Sequence, residues 1–227
     1  MNDFTRYAVY YAPQPGPFAA ATAAWLGWDV LGGQAVGHPD LPGLPHPVAN
    51  LTRAPRKYGF HGTIRAPFRP CVGEAQLIER LDDLAVRLPP VRCSGLRLSD
   101  LDGFLALTAE GCEASLLALG EAVVRGTDDL RAPLTAAELA RRRPETLSLR
   151  QRGLLQRWGY PFVMEEFRFH LTLTDQLSAE VATQVAPVLR AHLAPVLPHP
   201  FVIADVCLMA EDRQGRFQLR HRSTLSG

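Results

Sequence analysis

The chain has 227 residues, is 47% hydrophobic, and sets 24 lysines and arginines against 23 acidic residues for a formal charge of +1. That composition supports a sizeable buried core and supplies no global field to recruit long nucleic acid. No run of 18 apolar residues is present, and Met1-Asn2-Asp3-Phe4-Thr5-Arg6 leads into an alternating segment rather than a signal sequence, so the expectation is a soluble, cytoplasmic protein without a membrane partner. Cys71, Cys93, Cys112 and Cys207 are scattered without a CxxC pair and read as reduced, structural thiols.

Phe4 to Ala12, rich in aromatic and β-branched residues and closed by Pro13, predicts a first strand. Pro17 to Leu31 predicts a helix, with proline in its first turn and Gly32-Gly33 as its stop. The prolines and glycines between Gly37 and Pro55 predict a loop; His38, His46 and Asp40 within it match no metal-ligand spacing. A strand follows within Lys57-Tyr58-Gly59-Phe60-His61-Gly62-Thr63-Ile64-Arg65-Ala66-Pro67-Phe68. Glu74 to Leu88 carries Leu77, Leu81, Leu84 and Leu88 on one helical face. Strands at Val91 to Leu98 and Phe104 to Thr108 flank the hairpin signal Asp100-Leu101-Asp102-Gly103.

The second half repeats this order of strand, helix, strand, turn, strand. Glu165 to Thr174 alternates with period two and predicts a strand. Ser178 caps a helix that Pro187 should kink or split, and strands at Phe201 to Met209 and Arg216 to Arg220 enclose a turn. Between the repeats, Cys112 to Pro161 reads as helical, with turns around 135–142 and 148–158. The expectation is an α+β fold: one bilobal domain over 1–227, with pseudo-symmetric antiparallel-sheet lobes (motifs at 57–108 and 165–221), helices outside, and a mainly helical connection over about 112–161.

Each strand that opens a repeat carries a histidine followed two residues later by a threonine. On a strand such residues share a face, which aligns His61, Thr63 and Arg65 in one row and Arg168, His170, Thr172 and Thr174 in the other. A polar row of this kind in a cleft needs a partner, and phosphate oxygens accept well from hydroxyl and guanidinium donors. Two imidazoles on opposite sides of a phosphorus atom can divide the work, one taking a proton from water and the other giving one to the leaving oxygen. That chemistry calls for no metal or other cofactor. The bare motif is weak, since His221-Arg222-Ser223 also matches it; its specificity comes from equivalent places in a repeated element order.

His61-Gly62-Thr63-Ile64 and His170-Leu171-Thr172-Leu173 resemble the paired signatures of the 2H (two-histidine) phosphoesterase superfamily, and the surrounding residues resemble a branch of it encoded beside carbon-phosphorus lyase genes of bacterial phosphonate breakdown. The resemblance implies a bilobal α+β fold with a central cleft and a metal-independent phosphodiesterase with His61 and His170 as catalytic residues. Its expected substrate is a small cyclic or linear phosphodiester, such as a sugar phosphate of phosphonate catabolism. Thr63, Thr172, Arg65 and Arg168 are the candidate phosphate ligands, and Tyr58 and Thr174 are candidate substrate contacts. An RNA-end 2′,3′-cyclic phosphodiesterase or ligase, or a non-catalytic sensor of a nucleotide or phosphosugar, is the alternative. This chain departs from the branch at Gly62, where alanine is common, and at Arg65, where lysine is common.

Overall fold

The computed structural model describes residues 4–227, so Met1-Asn2-Asp3 of the N-terminal reading lie outside the described residues. Strand β1 (Phe4–Tyr11) alternates its burial between two sides: Tyr7, Val9 and Tyr11 enter the main core, while Ala8 and Tyr10 enter a second apolar cluster. Helix α1 (Pro17–Leu26) starts on its proline and stops earlier than the sequence suggests, because Gly27 takes the left-handed conformation with φ 79°. The chain then turns through a small hairpin, β2 (Trp28–Asp29) and β3 (Gln34–Ala35), which covers that second cluster. Inside the expected loop lies a single helical turn, α2 (Val48–Leu51).

The first repeat has β4 (Gly62–Phe68), α3 (Glu74–Ala85), β5 (Val91–Cys93), β6 (Gly95–Asp100) and β7 (Leu105–Glu110), with the single strand expected over Val91 to Leu98 divided between β5, which joins a separate two-stranded sheet, and β6. The β6–β7 turn uses Asp102 and Gly103 at positive φ, the handedness that two-residue hairpins favour. The connection supplies α4 (Glu113–Thr127), α5 (Ala136–Arg141) and α6 (Leu149–Trp158). Thr135 and Ser148 cap the last two by accepting from the backbone N–H three residues on.

The second repeat has β8 (Leu171–Thr172), α7 (Ala179–Leu193), β9 (Phe201–Ile203), β10 (Asp205–Asp212) and β11 (Phe217–Thr224). Two expectations are corrected here. Helix α7 runs unbroken through Pro187, because Pro187 and Thr183, whose carbonyl loses its backbone partner, are both exposed to solvent. The strand expected over Glu165 to Thr174 shrinks to two residues. Met164–Glu166 form a 3₁₀ turn, and the acceptors that would have built a ladder are taken by side chains: Arg168 Nη1 donates to the Glu165 and Phe167 carbonyls, and His170 Nδ1 to the Arg168 carbonyl.

One seven-stranded sheet results, in the order β11-β10-β1-β4-β8-β7-β6, with antiparallel pairing throughout. Its halves meet where β4 and β8 pair through Gly62 opposite Leu171. Helices α3 and α4 pack on β10, β11 and β4, while α7 lies against β6. Among the described residues no helix is long and apolar enough to cross a membrane.

The thiol reading is also corrected. Cys93 and Cys112 form a disulfide that ties β5 to the start of α4, a pairing that reducing compartments disfavour. Cys71 is exposed and free, and Cys207 is buried and free. The folded chain should therefore offer one accessible thiol to Ellman's reagent, the denatured chain two, and the reduced, denatured chain four; four thiols without reduction would refute the pairing.

Candidate active site

Both histidines stand just before their strands, and both are held in the same way. Gly59 has φ +66°, and a Cβ there would come within 2.1 Å of Val30 Cγ1, so only glycine fits. Its carbonyl accepts a hydrogen bond from His61 Nδ1 at 2.9 Å. In the second motif the Arg168 carbonyl accepts from His170 Nδ1 at 2.8 Å. A carbonyl oxygen carries no proton, so each neutral ring keeps its hydrogen on Nδ1 and its lone pair on Nε2.

The two motifs are locked against each other. Beside the Gly62–Leu171 pair, the Phe169 ring covers Gly62 so closely that a Cβ there would approach it to 2.4 Å. On the other edge of β4, Tyr10 pairs with Thr63, and its ring stacks on His61 with centroids 4.0 Å apart. Tyr58 lies 5.9 Å away on the same imidazole. Burial pushes the His61 pKa down to about 4; the hydrogen bond to Gly59 opposes the shift and the His170 charge adds to it. His61 is consequently neutral near pH 7.

A cavity of about 370 Å³ opens beside these groups. His61, Thr63, Thr172 and Thr174 line it, and His170 stands at its edge with its ring centroid 5.7 Å from that of Phe104, another lining residue. The Thr63 and Thr172 hydroxyls have no hydrogen-bond partner among the described residues, which leaves both available to a ligand. Thr174 is 1% exposed, and its hydroxyl already accepts from the Leu105 N–H at 2.9 Å, a bond that fixes the wall. Tyr58 lines the cavity.

The two arginines are corrections. Arg65 shares the sequence row of His61, yet its guanidinium is buried under α4, where it donates to the Val124 carbonyl and the Thr127 hydroxyl, pairs with Asp128 at 3.5 Å and lies over the Phe68 ring. Arg168 is exposed, its Nη1 committed to its own backbone neighbourhood. Neither lines the cavity. Strand parity assigns a side but not a depth, and at Arg65 the helix laid over the sheet supplies the partners that a ligand would have supplied. Sequence reasoning missed Arg6, Tyr10, Phe104, Arg142 and Tyr160, all of which line the cavity. Their segments read only as a strand, a hairpin and a helical link; the one available signal is Tyr10 on the side of β1 opposite Tyr7, Val9 and Tyr11. His221, the third sequence match, is a structural residue bonded to Asp82 at 2.8 Å.

Fold and site define a mixed α+β protein with two equivalently tethered histidines, His61 on the wall of a cavity and His170 beside Phe104 at its rim. Residues 63–218 match the family model described as "Protein of unknown function (DUF1045)", and the chain belongs to that family. It is 37% identical over 222 residues to "Ribose 1,5-bisphosphate phosphokinase PhnN" of Janthinobacterium sp. (strain Marseille), covering 94% of this chain and 49% of that protein. It is also 37% identical over 177 residues to the protein of the same name from Laribacter hongkongensis (strain HLHK9), covering 76% of this chain and 40% of that one. The chain thus spans about half or less of the length of these curated relatives. Among solved structures it is similar to E. coli LigT in apo form (TM-score 0.46, 14% identity, 98% of both chains) and to LigT complexed with 3′-AMP (TM-score 0.44, 14% identity, 98% of this chain and 99% of that one).

Arg65→Ala should cost about 3 kcal/mol in urea unfolding, since it strips charged hydrogen bonds from a closed interior. Arg168→Ala should cost less than about 0.5 kcal/mol. A stable Arg65→Ala protein that has instead lost affinity for inorganic phosphate would restore Arg65 to the site.

Proposed function

We propose that the chain is a phosphodiesterase acting on a small cyclic or linear phosphodiester, with His61 and His170 as its general base and acid. The observation that carries this reading is the matched tethering of the two imidazoles, each Nδ1 spent on the carbonyl two residues back, which leaves the Nε2 of His61 free on the cavity wall and that of His170 free beside the lining residue Phe104. A lone structural histidine can have this geometry; two of them, on paired strands with an unpartnered threonine hydroxyl two residues beyond each, form a device for moving two protons around an anion.

The roles follow from their surroundings. His61, held neutral by burial, takes a proton from the attacking water through Nε2 as the water oxygen bonds to phosphorus. His170, as the acid, gives its Nε2 proton to the leaving oxygen as the old ester bond breaks. Solvent then resets both rings. Thr63 and Thr172 donate to the non-bridging oxygens, where charge builds in the transition state. The resemblance of both motifs to 2H phosphoesterases supports the reaction class, and the relatives named for a ribose bisphosphate kinase support a phosphorylated sugar as the substrate class.

His61→Ala and His170→Ala should each lower kcat by ~10²- to 10⁴-fold with folding intact, and turnover by the parent enzyme should persist in EDTA. Native turnover by either variant would end the paired mechanism. The pH profile gives a second check. A base whose pKa is depressed stays unprotonated as acid is added, so kcat/KM of the free enzyme should hold until the pH falls to about 4. Tyr10→Ala, which opens His61 to water, should move that acid limb upward toward the unperturbed value of about 6.5.

A further inference from the structure

The end of the cavity beyond His61 holds more hydrogen-bond donors than one phosphate group can use. Tyr10 is 1% exposed and lines the cavity, yet its hydroxyl has no hydrogen-bond partner among the described residues. The hydroxyls of Tyr58 and Tyr160, on the same walls, have none either. Phenolic hydroxyls that open on one cavity without a protein partner are donors for a ligand that enters it. Burial also raises the pKa of Tyr10 and Tyr160, which keeps both as donors at neutral pH.

Two guanidinium groups stand with these hydroxyls. Arg142, at the end of α5, rests its guanidinium 4.8 Å from the Tyr160 ring centroid and has no carboxylate partner among the described residues. Arg6 is clasped by Glu211 through Nε and Nη2, both at 2.6 Å, which fixes its plane and leaves Nη1 without a partner among the described residues. Glu211 therefore cancels Arg6, while Arg142 stays uncompensated. The carboxylate that does line the cavity, Asp175, is held by the Ala54 N–H at 2.7 Å.

We infer that Arg142, Arg6, Tyr10, Tyr58 and Tyr160 form a second anion subsite, so that the substrate is a phosphodiester carrying a separate phosphomonoester and the product is a bisphosphate. The inference rests on the histidine pair of the preceding subsection as the place where the diester is cleaved. A guanidinium fork and phenolic hydroxyls suit the three terminal oxygens of a monoester, which offers more acceptors and more charge than a diester. Tyr10 and Tyr58 border both ends, since each ring also lies on His61, and so set the span between the two phosphoryl groups.

The test compares 2′,3′-cyclic AMP with the same nucleotide bearing a 5′-phosphate, using the full chain. The parent should prefer the phosphorylated form by at least tenfold in kcat/KM, and Arg142→Gln should bring that ratio below twofold. Arg143→Gln, on the exposed neighbouring arginine, should keep it. A parent without preference, or a preference that survives Arg142→Gln, overturns the subsite. If neither nucleotide turns over, the histidine chemistry has failed for these probes, and calorimetric titration with inorganic phosphate decides the subsite alone. Two phosphates on the parent and one on Arg142→Gln support it; a single phosphate that survives Arg142→Gln, or none on the parent, overturns it.

Discussion

The cavity depends on a contact between one glycine and one phenylalanine. Gly62, the residue after the first histidine, lies under the ring of Phe169, the residue before the second, and opposite Leu171 across the only pairing of β4 with β8. Those neighbours bring the histidine motifs of two distant segments to a common place. The seam is short for a physical reason: backbone carbonyls on either side of it hold imidazoles or an arginine side chain, and an acceptor spent in this way does not extend a ladder. Packing replaces the missing hydrogen bonds, and the packing works only because residue 62 has no Cβ. Where the resembling branch commonly carries alanine, this chain has a glycine and a phenylalanine that fit each other.

The same arrangement breaks the pseudo-symmetry of the two histidines. Both rings are tethered alike, but only His61 has a tyrosine stacked on it at 4.0 Å from the neighbouring strand. That strand, β1, belongs to neither repeat. It lies between β4 and β10 and sends Tyr10 to the cavity side while Tyr7, Val9 and Tyr11 fill the main core. On the proposed reading, the distinction between base and acid is therefore written in a segment outside the repeated motifs.

This division explains what the sequence made legible. The element order, the hairpin at Asp102-Gly103 and the cap at Ser178 are local signals, and each appears where its residues predict it. His61, Thr63 and Thr172 were legible as cavity residues because strand parity and the repeat both place them. Arg65 was not, because its partners on α4 and just past its end lie about 60 positions away, at Val124, Thr127 and Asp128. Arg142 and Tyr160 reach the cavity from the helical link, where no periodicity marks a residue as facing a distant strand. The Cys93–Cys112 bond escaped notice for the same reason, since only the packing of α4 against β5 brings those thiols together.

The displacement of Arg65 has a chemical consequence on the proposed reading. A free guanidinium next to the reacting phosphorus would bind the ground-state anion as firmly as the transition state, which lowers KM without raising kcat. Tied to Asp128 and Thr127, Arg65 instead anchors α4 behind the strand that carries Thr63. What remains beside His61 is neutral: two threonine hydroxyls and two tyrosines, donors that can strengthen as charge develops on the non-bridging oxygens. The uncompensated cation, Arg142, stands with the tyrosine hydroxyls of the second subsite, where an attraction that does not change during the reaction anchors the substrate without competing with the chemistry.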